Sequence, residues 1–352
     1  MIDSSEVINF ADALSALTDM NTPYPVRYLR SYSDLSPKKL KDLMATWPSI
    51  PLQRKVSLLE DLESVMETDT LVSFDALARM LLKDPEPAVR IPALRLLWEC
   101  EEPGVIPELV RISAIDDDES ARATSAALLG KFVLLGELDA IKTELKDLVT
   151  NHLINVVLGS EQPRVKQRAL ESLGYSSHPA VPELLRNAFE SSDIPWVTSA
   201  LCAMGRSADD VWAPLVEDML TSADPEVQFE AIRAAGELEL TSARDQLLSL
   251  LDEEIEDEEI RLALIWALSQ LGGTEVKEKL DELIENAVTD DEIEWIEKAI
   301  ENMDIASSGN LELLDFSPDD EDEDENDFDA NDDLLDDDDL DDLDEDVGEE
   351  DD

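Results

Sequence analysis

The sequence predicts an all-α fold, an α-solenoid of stacked helix pairs. Three observations predict it: a segment recurring at nearly constant spacing, an apolar face of helical period inside each copy, and a second apolar run after each copy. In the most regular copy, DPEVQFEAIRAAGEL at Asp224–Leu238, Val227 serves as anchor. The equivalent positions are Val89, Ala121, Val165, Trp196, Val227, Ile260 and Ile293, at steps of 32, 44, 31, 31, 33 and 33 residues. Three residues before each anchor stands Glu86, Asp118, Gln162, Asp193, Asp224, Asp257 or Asp290, and nine residues after it Trp98, Gly130, Gly174, Gly205, Gly236, Ser269 or Asn302.

Within Asp224–Leu238 the apolar residues Val227, Ala231, Ile232, Ala235 and Leu238 share one face of a 3.6-residue period. Asp224 followed by Pro225 reads as an N-cap and a proline at the first helical position, and Glu226 adds negative charge at the positive end of the dipole. A helix of roughly 21 Å is marginal alone, so packing must hold it. Ala93, Ala169, Ala200 and Ala231 recur four places after their anchors, giving a smooth surface for close approach. The glycine in the middle copies implies either close packing or a helix C-cap. Glu86 with Arg90, Asp118 with Arg122 and Asp257 with Arg261 are spaced as i,i+4 ion pairs along one helix.

Second apolar runs follow at Val105–Ile115, Val181–Phe189, Val211–Leu220, Ala243–Leu251 and Val276–Val288. Helix pairs at this period cannot bury their faces singly, so neighbours must supply the core.

The D-x-x-V-R-x-x-A-x-x-x-L-G-like run resembles HEAT repeats, particularly the short bacterial kind also found in phycobilin lyase subunits, over roughly residues 50 to 303. The phrases LESLGYSSHPAVPELL (Leu170–Leu185) and AMGRSADDVWAPLV (Ala203–Val216) are similar to those of bacterial HEAT-repeat proteins. The resemblance implies a fold and a binding role rather than a reaction. Two enzyme associations travel with the repeat. Deoxyhypusine hydroxylase holds its di-iron centre on several His-Glu pairs, whereas here His152 precedes Leu153 and His178 precedes Pro179, so that ligand set is absent. Solenoids of DNA alkylation repair use a basic surface for phosphate, and this chain is acidic. No cofactor or metal is expected; a chromophore-lyase-like maturation factor or ligand-binding protein is the alternative.

With 352 residues and 43% hydrophobic content, there is material for one elongated repeat domain and a tail. The expected divisions are an N-terminal arm and capping helix at 1–50, the solenoid at 51–303, and a disordered acidic tail at 304–352. No apolar run is long enough for a membrane span, and the opening residues carry no basic cluster of a secretory signal, so a cytoplasmic location is expected. Cys100 and Cys202 lie three modules apart, beyond disulfide reach, and read as buried thiols.

The formal charge of −59 grows along the chain. Residues 1–100 hold 11 bases and 15 acids, residues 101–314 hold 16 and 46, and residues 315–352 hold 25 acids and no base. Such a field repels nucleic acid and favours a protein partner of basic or mixed charge. The tail has too few apolar groups to offset its ordering entropy and repulsion. Phe316 and Phe328 are its candidate contact residues, and three uses compete for it: solubility, recruitment of a basic protein, or docking on the chain's own less acidic end around Arg27, Arg30, Lys38, Lys39, Lys41, Arg54 and Lys55. Asp322, Asp324 and Asn326 mimic the start of a calcium loop, but Asp327 stands where glycine is needed and Asp333 where the closing glutamate is needed.

Along the chain, Val7–Leu17 is expected to form a short amphipathic helix, and Tyr24, Tyr28 and Tyr32, on an i, i+4, i+8 face, either pack an arm onto the first helices or bind a partner. Ser36 and Pro37 open a capping helix, and Pro51 another. The 44-residue step implies a longer first and second helix connected near Gly136, forming either a projecting surface or an accommodated bend. The turns after Gly174 and Gly205 bring Tyr175, His178, Arg206 and Trp212 together as a candidate partner-contact patch. The competing reading has Trp212 packed and Arg206 paired with Asp209 or Asp210. Glu297, in place of the small residue, marks the C-terminal cap.

Overall fold

The structure is a computed structural model that describes residues 9–253, 257–286 and 290–307. The chain divides into two units, Met1–Phe316 and Ser317–Asp352. Phe316, Phe328, the calcium-loop mimic and the acidic tail lie outside the described residues.

An amino-terminal helix, α1 (Phe10–Thr18), is followed by a 3-10 segment at Val26–Tyr32 and by α2 (Pro37–Thr46). Tyr24 and Tyr32 are buried, with their hydroxyls 3.0 Å apart, and the Phe10 ring meets Tyr32 edge-on. The arm is thus packed. Ser36 accepts from the Lys39 amide at 3.4 Å with Pro37 at the first position, as its sequence implies.

Next come α3 (Leu52–Thr68) and α4 (Asp75–Leu81), then the pairs α5 (Pro87–Arg95) with α6 (Ile106–Ile115), α7 (Glu119–Glu137) with α8 (Thr143–Leu158), and α9 (Pro163–Leu173) with α10 (Val181–Phe189). These are followed by α11 (Ile194–Arg206) with α12 (Ala213–Met219), α13 (Pro225–Glu237) with α14 (Arg244–Leu251), α15 (Glu258–Leu271) with α16 (Thr274–Asn286), and the last first-helix, α17 (Asp290–Ser307). No strand occurs among the described residues. The fold is an α-solenoid of HEAT-like helix pairs: first helices pack directly on one another, and each second helix from α6 to α16 packs chiefly on the first helix of the next module.

Local chemistry sets the helix starts. Asp118, Asp224 and Asp257 accept from the amides of Ala121, Val227 and Ile260 at 2.9, 3.3 and 3.3 Å, satisfying donors that would otherwise be orphaned. The small residues four places after the anchors, Ala93, Ala169, Ala200 and Ala231, have no exposed surface. The glycines serve close packing. A Cβ added to Gly174 would lie 2.6 Å from the Ala203 carbonyl oxygen, and one on Gly205 would lie 2.9 Å from the Ala234 Cα. Gly174 has φ −51°, so no left-handed cap is involved.

The predicted i,i+4 pairs of Glu86 with Arg90 and Asp118 with Arg122 give way to contacts between modules. Arg90 donates through Nε and Nη2 to Asp116 at 3.0 and 2.5 Å and to Asp117 at 2.8 Å, while Arg122 pairs with Glu161 at 3.1 Å. The acids Asp118 and Asp257 instead cap their own helices. Stacking brings the loop ahead of the next module within reach of each arginine, and its carboxylates are nearer than those on the arginine's own helix.

The insertion lengthens both helices of its module, to 19 residues in α7 and 16 in α8. Cys100 and Cys202 are free and buried.

Candidate functional site

The turns that follow the first helices lie side by side and form one edge of the array. Four candidate residues sit there, and the structure separates them into different environments. Tyr175 is half-buried beneath the Arg206 guanidinium, whose carbon lies 5.5 Å from the ring centre. Burial pushes the Tyr175 phenol up, so the ring meets the cation in its neutral form. Arg206 turns to this ring rather than to Asp209, whose carboxylate accepts from the Val211 amide at 3.0 Å. Beneath them Cys202 is held protonated, its thiol pushed up by burial.

His178 shapes its own turn. Its Nδ1 accepts from the Ala180 amide at 3.2 Å, and its amide donates to Ser176 Oγ at 3.2 Å. Trp212 is 2% exposed and lies under the Arg186 guanidinium at 5.0 Å, so it contributes to packing and offers almost no surface. Tyr175 and Arg206 are therefore brought together, while Trp212 is withdrawn.

The insertion is tied to this edge. The Glu137 carboxylate accepts from the Ser177 amide and hydroxyl at 2.9 and 2.8 Å and pairs with Lys146 at 2.7 Å. Burial alone would raise that carboxyl, but Lys146 and Ser177 outweigh it and hold it below the ordinary glutamate range.

Sequence reasoning missed three residues beside it. Trp98 is 49% exposed, Leu134 37% and Leu138 66%. The Lys131 ammonium donates to the Trp98 carbonyl oxygen, and Lys131, Leu134 and Leu138 follow one face of α7 at helical spacing. Glu99 and Glu101 are exposed and act on the Lys131 charge, and Asp139 is exposed next to Leu138 in the chain. The signal was present in the repeat. Trp98 stands where other copies have a glycine crossed by the next helix, a place no indole fits. Helix α5 ends at Arg95, which lets the ring turn outward. Leu134 lies in the extra turns of α7 and Leu138 at its C-cap.

Among the described residues, no three His, Cys, Asp or Glu side chains converge as a metal site, and no helix is long and apolar enough to cross a membrane. Residues 212–301 match the family model described as HEAT repeats. No curated protein matches the sequence. Among solved structures, the X-ray structure of YibA from Escherichia coli is similar at 19% identity and a TM-score of 0.32, over 69% of this chain and 95% of that one. Human deoxyhypusine hydroxylase in complex with glycerol is similar at 17% identity and a TM-score of 0.32, over 74% of this chain and 95% of that one.

Proposed function

We propose that this solenoid, which carries HEAT repeats, is a non-catalytic scaffold that binds a protein of basic or mixed charge at the edge built by its insertion. One observation carries the reading: Trp98 is exposed where the Lys131 ammonium meets its carbonyl oxygen and Glu99 and Glu101 act on that ammonium, and Leu134 and Leu138 are exposed further along α7 and at its cap. An exposed indole and exposed leucines are the residue types of an interface centre, and interface energy concentrates on such anchors. The acidic surround attracts a basic partner and speeds encounter more than it adds affinity.

Affinity capture from the native host tests this, comparing the full chain with a Trp98→Ser/Leu134→Ser/Leu138→Ser variant. The variant is expected to lose its specific partners by about tenfold or more. Undiminished capture by a folded variant would sink the reading. Charge reversal at Glu99 and Glu101 should slow association and weaken its salt dependence.

A further inference from the structure

Six and ten residues after the anchors Val165, Trp196 and Val227 stand Glu171 and Tyr175 in and just after α9, Cys202 and Arg206 on α11, and Arg233 and Glu237 on α13. Residues four apart share a helix face, and α9, α11 and α13 pack directly on one another, so these side chains form one polar strip. Glu171, Cys202 and Arg233 are its buried row, each 6% exposed, while Tyr175, Arg206 and Glu237 are half-buried. The charges of the buried row are matched. Glu171 accepts from Arg168 Nη1 at 2.9 Å and from Ser199 Oγ at 2.6 Å. Arg233 donates to Glu237 Oε1 at 3.0 Å and stands 3.7 Å from Glu230.

Arg206 is the exception. Among the described residues its guanidinium makes no hydrogen bond and no ion pair, and its fixed contact is the Tyr175 ring. Its nitrogens and the Tyr175 hydroxyl, which also has no hydrogen bond among the described residues, are open to solvent, whereas the unpartnered Nε atoms of Arg79 and Arg244 are sealed away. Glu237 acts on the Arg206 charge, but its Oε1 is committed to Arg233 and its Oε2 is buried beside Gly205, where an added Cβ would collide with it. Contact with a ring leaves most of the five N–H donors of a guanidinium unspent, and their fork matches the two oxygens of a carboxylate. We infer that Arg206 and Tyr175 form a binding site for a single carboxylate group, held two-pronged by the guanidinium with the phenol donating beside it.

Local charge permits an anion here although the chain as a whole opposes one. Arg168, Arg206 and Arg233 offset Glu171, Glu230 and Glu237, so the strip is neutral within a chain of formal charge −59. More distant acids are screened by salt, and what remains of their field opposes a dianion twice as strongly as a monoanion. The site therefore selects a carboxylate over phosphate. A small organic acid and the C-terminal end of a peptide present the same two oxygens to it.

Amide NMR of the full-length chain tests the site, read at Gly174 and Ser207. Acetate should shift both resonances saturably, with a Kd on the order of 10 mM, while acetamide, its neutral counterpart, should not. Arg206→Lys keeps the charge but loses the fork, and it should weaken binding about tenfold. Tyr175→Phe should weaken it about threefold. Arg186→Gln, which removes the guanidinium over Trp212, should leave it unchanged. An otherwise unaltered amide spectrum shows each variant folded, and if Arg206→Lys does not fold, acetamide and Arg186→Gln decide. Acetylated trialanine with a free carboxyl end, binding about tenfold tighter than acetate while its amide is inert, would assign the carboxylate to a peptide end; equal affinity would assign it to a small acid. Equal shifts with acetamide, shifts that never saturate, tighter binding of inorganic phosphate, or undiminished binding in folded Arg206→Lys would each overturn the site. So would binding that appears only in Glu237→Gln, because Glu237 would then be the counterion of Arg206.

Discussion

Arg90 and Asp116 join consecutive modules through a two-pronged ion pair, Nε to Oδ2 at 3.0 Å and Nη2 to Oδ1 at 2.5 Å, with only 6% and 4% of the two side chains exposed. Removing the base would strand a buried carboxylate. Arg90→Met should therefore cost about 3 kcal/mol in urea unfolding near neutrality. Burial alone would raise the Asp116 carboxyl, but hydrogen bonds from Arg90 and from the Asp118 amide hold it below the usual aspartate range. A lowered folded value contributes stability above the unfolded value and loses it as pH falls through the folded one. The gap between wild type and Arg90→Met should thus be steady near neutrality and narrow below about pH 4. A gap constant across that range would show that the pair's charge is irrelevant.

Gly174 and Gly104 make a matched test of the packing argument. Alanine at 174 would put Cβ 2.6 Å from the Ala203 carbonyl oxygen and 2.8 Å from its Cα, and that backbone cannot yield cheaply. Gly174→Ala should destabilise by about 1–3 kcal/mol. At Gly104 the nearest atom would be 3.7 Å away, and Gly104→Ala should stay within about 0.5 kcal/mol of wild type. Denaturant melts of both variants decide it.

Glu137 holds the extended end of α7 to the next turn. Glu137→Ala removes the acceptor of the Ser177 amide and the partner of Lys146, so exchange of that amide should rise by about tenfold, equivalent to about 1.4 kcal/mol. Amides of α13 should be unaffected. A uniform rise across the array would instead mean global loss of stability.

Leu134→Ser with Leu138→Ser should cost no more than about 1–1.5 kcal/mol, because 66% of Leu138 and 37% of Leu134 already face solvent. Trp212→Ser should cost about 3 kcal/mol or more, since its ring is 2% exposed. If the leucine pair proves as costly as the tryptophan, the exposed edge is not a free surface.

Periodic positions were the most legible part of this chain. Asp224 was readable as a cap because the chemistry lies within three residues of Val227, and Ser36 because its proline follows directly. The length of α7 followed from the 44-residue step. The site was less legible. Tyr175, Arg206 and Trp212 look alike as unusual side chains in adjacent turns, yet Arg206 turned to the Tyr175 ring while Trp212 went inside beneath Arg186. Trp98 was visible as a departure from glycine, but its exposure depended on where α5 ended.

The sequence by itself determined the helix pairs, their capping residues, the position of the insertion and the growing negative charge. These follow from local hydrogen bonding, apolar period and composition, which act over a few residues or need no structure at all. Only the tertiary structure decided that the glycines serve backbone contact rather than caps, and that Arg90 and Arg122 bridge to the next module instead of pairing along their own helix. Only it showed which apolar side chains remain uncovered. Those outcomes depend on distances between residues about 30 positions apart, and no local pattern encodes them until the stacking of one module on the next brings them together.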